Sequence, residues 1–97
     1  MADYNQNQID VEVLKALADE TRLEILDLLG LGDMNVNEIA SHHRISRPTI
    51  SHHLQILKRA GIVSSRKDGK EIYYSVNQYV LTGLAQELLK FANLGHF

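Results

Sequence analysis

Seven of the side chains with hydrogen-bond donors between residues 46 and 59 stand out: Ser46, Arg47, Thr49, Ser51, His52, Gln55 and Arg59. Three cations, Arg66, Lys67 and Lys70, follow closely. Hydroxyl, amide, imidazole and guanidinium groups donate to base edges or to phosphate oxygens. Arg47 has the planar fork that matches the two acceptors guanine shows in a major groove. The chemistry these residues suit is recognition, not bond-making. The chain has no cysteine nucleophile, no glycine-rich phosphate loop and no carboxylate pair set beside a base, so the reading is not an enzyme.

Charge agrees with a polyanion partner. The net charge of −2 hides an asymmetry: residues 44–70 carry +6 and the rest of the chain −8. A nucleic acid would be drawn to the middle of the chain and repelled elsewhere.

Those donors must sit on an ordered frame. Ile50, Leu54 and Leu57 recur at i, i+4, i+7, so they share one helical face and belong in a core. His52, Gln55 and Arg59 then point the other way. Ser46 is the expected cap of this helix, Pro48 suits its first turn, and Gly61 ends it. Residues 62–67 and 71–76 read as strands, with Asp68-Gly69 as the hairpin signal between them. The hairpin tip carries Arg66, Lys67 and Lys70, placed to meet a flanking minor groove or its phosphates.

Upstream, Ile9, Val13, Leu14 and Leu17 predict a first helix over residues 9–18. Asp19 is the expected cap of a second over 20–29, with Leu23, Leu26 and Leu29 inside. Asn35 and Glu38 have capping-box spacing and open a third that closes near His43. Asn77 opens a last helix to about Asn93, striped by Val80, Leu81, Leu84, Leu88 and Leu89. The fold class is therefore mainly α with a β-hairpin wing, four helices, two strands and a fifth helix. This is the order a winged helix-turn-helix needs, with residues 35–59 as the helix-turn-helix and 62–76 as the wing.

Ninety-seven residues make one domain with a modest core, so pairing of two copies would add useful apolar burial. The absence of cysteine excludes disulfides and thiolate metal sites. No apolar run approaches the roughly 20 residues of a membrane span, and residues 1–10 lack signal-peptide features. A cytoplasmic protein with no membrane partner, flexible over residues 1–8, is expected.

Three segments make a specific resemblance: 17–26 (LADETRLEIL), 46–63 (SRPTISHHLQILKRAGIV) and 67–75 (KDGKEIYYS). They look like the opening signature, recognition helix and wing of the ArsR/SmtB family of bacterial repressors. The resemblance implies a homodimer joined through the first and last helices, binding an inverted-repeat operator in double-stranded DNA and repressing transcription. Apolar surplus on those helices assigns Val13, Leu14, Leu17, Leu81, Leu84 and Leu88 to the dimer interface.

The sensor chemistry departs from the metal-sensing types. Arsenic-sensing members carry a cysteine pair at the start of the third helix, where this chain has Asn35-Val36-Asn37-Glu38. Zinc-sensing members use carboxylates and histidines on the last helix, which here holds Glu87 as its only acid and no histidine before His96. The resemblance is therefore to the metal-independent type, with no metal, no cofactor, and a small molecule, a partner protein or nothing as effector. His52 and His53 belong to the recognition-helix signature. His43 and His53 are read as half-buried rings with local partners; a metal or proton switch built on them is the alternative. Of the two tyrosines Tyr73 and Tyr74, strand alternation sends one to the core. A winged helix used only for protein–protein contact stays open as a second class of function.

Overall fold

A computed structural model describes residues 9–92. Residues 1–8, expected to be flexible, lie outside the described residues, as do Asn93 and His96. The elements run α1 (Val11–Leu17), α2 (Glu20–Leu29), β1 (Met34–Asn35), α3 (Val36–Ala40), α4 (Arg47–Arg59), β2 (Val63–Asp68), β3 (Glu71–Val76) and α5 (Gln78–Phe91).

Caps explain most helix starts. The Asp10 side chain accepts from the N–H groups of Glu12 and Val13 at 3.0 and 3.2 Å, so α1 begins after Ile9. Asp19 caps α2 through Arg22 N–H at 3.1 Å. Asn35 and Glu38 close the full capping box at the start of α3, at 3.0 and 2.8 Å. That box gives the buried Asn35 its polar partners. α3 ends at Ala40, earlier than expected, and His43 sits in the turn that leads to α4.

Ser46 flanks α4 but makes no side-chain cap bond. Its hydroxyl lies 3.0 Å from that of Thr49 instead. At the other end Gly61 takes φ +80, and two bonds close the helix: Gly61 N–H to Lys58 O and Ile62 N–H to Leu57 O, both 2.9 Å. This is a Schellman motif, and its two flanking side chains, Leu57 and Ile62, are both fully buried.

The sheet has three strands in the order β1-β3-β2. β2 and β3 form the expected hairpin, but Asp68 pairs with Glu71, so the two-residue loop is Gly69-Lys70. Gly69, at φ +65, supplies the left-handed conformation the turn requires. β1 is an unexpected strand that adds to the other edge of β3. Tyr74 faces the core and Tyr73 is half-buried.

The centre of the core is Ile25, Ile39, Ile50, Leu54, Leu57 and Ile62, all fully buried. Burial of each such side chain stabilises by about 1.5–3 kcal/mol. The α4 stripe lies as its spacing requires. On α2 the inward residues are Ile25 and Leu29, while Leu23 is half-exposed, because Ile25 and Leu29 sit one turn apart and turn Leu23 outward. Asn77 makes no cap bond to α5; its amide donates to Gly61 O at 3.2 Å and its N–H to Ile62 O at 2.8 Å, fastening α5 to the end of α4.

Candidate nucleic-acid interface

The core stripe of α4 turns Ser46, Arg47, Thr49, His52, Gln55 and Arg59 into solvent, and Ser51 is partly covered. The fold thus gathers the predicted α4 donors on one exposed element beside the wing. Three of them already have protein partners. Ser46 and Thr49 share a hydroxyl contact, and Arg47 donates from Nη1 to Asn37 Oδ1 at 2.9 Å. Asn37 lies in the first turn of α3 and is exposed, so it anchors the guanidinium without burying it. Sequence reading missed Asn37; a polar residue near a helix start is common, and nothing local points across to Arg47.

The wing cations divide. Lys67 and Lys70 are exposed and have no ion-pair or hydrogen-bond partner among the described residues. Arg66 is engaged: it pairs with Asp33 in the loop before β1 and lies 5.4 Å from the ring centroid of its cross-strand neighbour Tyr73. Its charge is therefore compensated, which sets it apart from the two lysines. Asp33 was not singled out by sequence reading, since the contact spans 33 residues.

The expected dimer residues also divide. Leu14 and Leu88 are exposed in the single chain, and Leu17 and Leu81 are half-buried. Val13 is 2% and Leu84 8% exposed. Both pack into the chain's own core, so neither has appreciable surface left to bury against a second copy. Apolar residues that sequence reading left out, Val11, Tyr79, Leu89 and Phe91, are exposed on the same two helices. A groove of about 330 Å³ runs between α1 and α5, floored by Val13, Val80 and Leu84 and bordered by Tyr79.

The histidines do not converge on a metal site. His43 Nδ1 lies 3.7 Å from Glu24 Oε1, and its buried Nε2 has no partner. His53 Nδ1 lies 3.2 Å from Arg22 Nη1. The two rings look to different residues of α2, and among the described residues no three of His, Cys, Asp or Glu form a group that could hold an ion.

Comparison with known proteins gives this geometry its context. Residues 19–65 match the family described as bacterial regulatory protein, arsR family. The transcriptional repressor SdpR of Bacillus subtilis (strain 168) is 51% identical over 83 residues, which cover 86% of this chain and 92% of that protein. An ArsR-like transcriptional regulator from Rhodococcus sp. RHA1 superposes with TM-score 0.80 at 37% identity, over 86% of this chain and 78% of that one. A homodimeric winged helix-turn-helix DNA-binding domain from Mycobacterium bovis, solved in solution, matches with TM-score 0.71 at 36% identity, over 90% and 80% of the two chains. A winged helix-turn-helix whose reading helix, wing and sequence all agree with these proteins belongs to the ArsR family of bacterial DNA-binding transcriptional regulators.

Proposed function

We propose that this chain is a homodimeric, metal-independent repressor of an inverted-repeat operator, acting in the cytoplasm. The observation that carries the reading is the exposed donor row of α4 beside two exposed wing lysines. α4 enters the major groove, with Arg47 reading guanine and Ser46, Thr49, Ser51, His52, Gln55 and Arg59 contacting bases and phosphates. Lys67 and Lys70 approach the flanking backbone, while Arg66 braces the wing through Asp33 and Tyr73. Leu14, Leu17, Leu81 and Leu88 pair two copies. Half-site centres lie about one helical turn, or a multiple of it, apart.

Selection of duplexes from a randomised pool tests this directly. Arg47→Ala is expected to flatten the ranking of operator variants, whereas Lys67→Ala and Lys70→Ala weaken all duplexes alike and reduce the salt slope by roughly one each. An unchanged ranking with Arg47→Ala rejects its base-reading role. A protein that shows no salt-dependent binding to random duplex is a protein-interaction module instead.

Asn35-Val36-Asn37-Glu38 at the start of α3 and Glu87 as the one acid of α5 support a non-metal signal or none. Zinc, cobalt, nickel and copper at low micromolar levels are expected to change operator affinity within about twofold, well under usual allosteric couplings. A loss of tenfold or more with one metal, abolished by His43→Ala, would make the protein a metal sensor through an unusual histidine site.

A further inference from the structure

Arg22 stands where three helices meet. It occupies the first turn of α2, and its side chain is only 13% exposed. Nε donates to Ala16 O at 2.5 Å, and Nη2 lies 3.4 Å from Lys15 O. These are carbonyls of the last turn of α1, groups that a helix end leaves short of partners. Nη1 reaches His53 Nδ1 on α4 at 3.2 Å, with Asp19 Oδ2 at 3.8 Å. One guanidinium therefore bonds the end of α1 and the middle of α4 at once.

The chemistry of the pair fixes its polarity. A guanidinium only donates, so His53 Nδ1 is the acceptor in this bond. This bond is also structurally isolated. Among the described residues, the body of α4 makes two side-chain hydrogen bonds to other elements: Arg47 to Asn37 at its first turn, and His53 to Arg22 one and a half turns later. Along its body α4 is otherwise held to the core mainly by apolar packing, through Ile50, Leu54 and Leu57 with Ile56 at the edge. Such packing favours burial but is non-directional, so it restrains rotation about the helix axis less sharply than a bond of defined geometry.

We infer that Arg22 and His53 are positioning residues for operator recognition: their bond sets the rotation of α4 relative to α1. The inference rests on the proposed roles of α4 as the reading helix and α1 as a dimer helix. α1 carries Leu14 outward, so its position fixes where the second copy sits. His52, one residue from His53, faces outward with its ring centroid 6.0 Å from that of His53. A small rotation of α4 displaces His52, Gln55 and Arg59 together. Through Arg22, the spacing of two half-sites and the orientation of each reading face are tied to one contact. Neither residue needs to touch DNA for this.

The test compares a duplex selected from a randomised pool by the wild-type protein with a random duplex of equal length. Each variant's fold and dimerisation are checked by circular dichroism and sedimentation. His53→Ala is expected to reduce the selected-over-random preference about tenfold, the scale of one hydrogen bond to a charged group, with random-duplex binding and salt slope unchanged. His53→Asn places an amide oxygen near the position of Nδ1 and is expected to restore most of the preference. Arg22→Lys keeps the charge, loses the planar fork and is expected to match His53→Ala. Combining Arg22→Lys with His53→Ala adds no further loss, because both remove the same bond. Folded His53→Ala or Arg22→Lys dimers with wild-type preference overturn the inference, as does an Asn variant no better than Ala. Failure of the wild-type selection to converge on any sequence rejects the DNA-reading proposal, and this one with it.

Discussion

At the scale of single residues, the site is organised by which charges are already spoken for. Arg47 is exposed but anchored by Asn37, Arg66 is compensated by Asp33 and Tyr73, and Lys67 and Lys70 are exposed with no side-chain partner among the described residues. An anchored arginine loses less side-chain entropy on meeting a base than a free one would, which suits it to reading. Exposed lysines suit a backbone that carries no sequence information. Asp19 illustrates the same economy in the scaffold. The Arg22 N–H bond, followed by the charge of the Arg22 guanidinium, holds its carboxyl below the usual carboxylate range. A carboxyl lowered in the folded state stabilises fully above its unfolded value of about 4, and that contribution is lost as pH falls through the lower folded value. Asparagine caps a helix about as well as aspartate, so Asp19→Asn removes the charge and keeps the cap. The variant is expected to be less stable than wild type at neutral pH, with the gap closing in acid below the ordinary carboxylate range. Urea midpoints at the two pH values measure it; a gap independent of pH would remove the charge from the account.

At the scale of elements, the wing shows what local sequence can and cannot determine. The Asp68-Gly69 pair marks a hairpin, yet the turn closes one residue later, on Gly69-Lys70, because cross-strand pairing continues through Asp68 and Glu71. Gly69 adopts φ +65, and a Cβ there would meet nothing within 4 Å. Gly69→Ala therefore introduces backbone strain alone, expected to destabilise by roughly 1–2 kcal/mol, whereas Gly69→Asn, which tolerates the left-handed region, is expected to lose less. Thermal or urea unfolding separates the two; an alanine variant as stable as wild type would mean the turn can reform with negative φ. The helices were legible where a cap and an apolar stripe coincide, as in α2 and α4 with Asp19, Gly61 and the Ile50-Leu54-Leu57 face. They were less so where one signal stood alone: Leu23 has helical spacing but faces out, and α3 stops before His43. β1, two residues long, has no alternation to read and exists only because β3 offers it an edge. The same limit applies to the site. Its donors were legible as residue types on one helix, but Asn37, Asp33 and Arg22 act through contacts that cross between elements, which local periodicity does not encode.

At the scale of the whole molecule, the two terminal helices carry the argument for a dimer. α1 and α5 expose Val11, Leu14, Tyr79, Leu88, Leu89 and Phe91, more apolar side chains than scattered surface residues explain. A second copy is the economical cover for such residues, since a twofold interface uses the same surface twice. The single-chain burial separates two leucines one turn apart on α5. Leu84 is 8% exposed and belongs to the monomer core; Leu88 is 40% exposed and is available to a partner. Leu84→Glu buries a charge inside the chain itself and is expected to abolish cooperative unfolding. Leu88→Glu places its charge at a position the single chain leaves exposed and is expected to leave a folded monomer with a near-native helical spectrum. That monomer presents half the phosphate-contacting surface, so its salt slope on random duplex falls to about half that of the dimer. Sedimentation and circular dichroism of the two variants distinguish the cases. Wild-type protein that sediments as a monomer at micromolar concentration would overturn the dimer, and equal unfolding by both substitutions would place Leu88 in the monomer core beside Leu84.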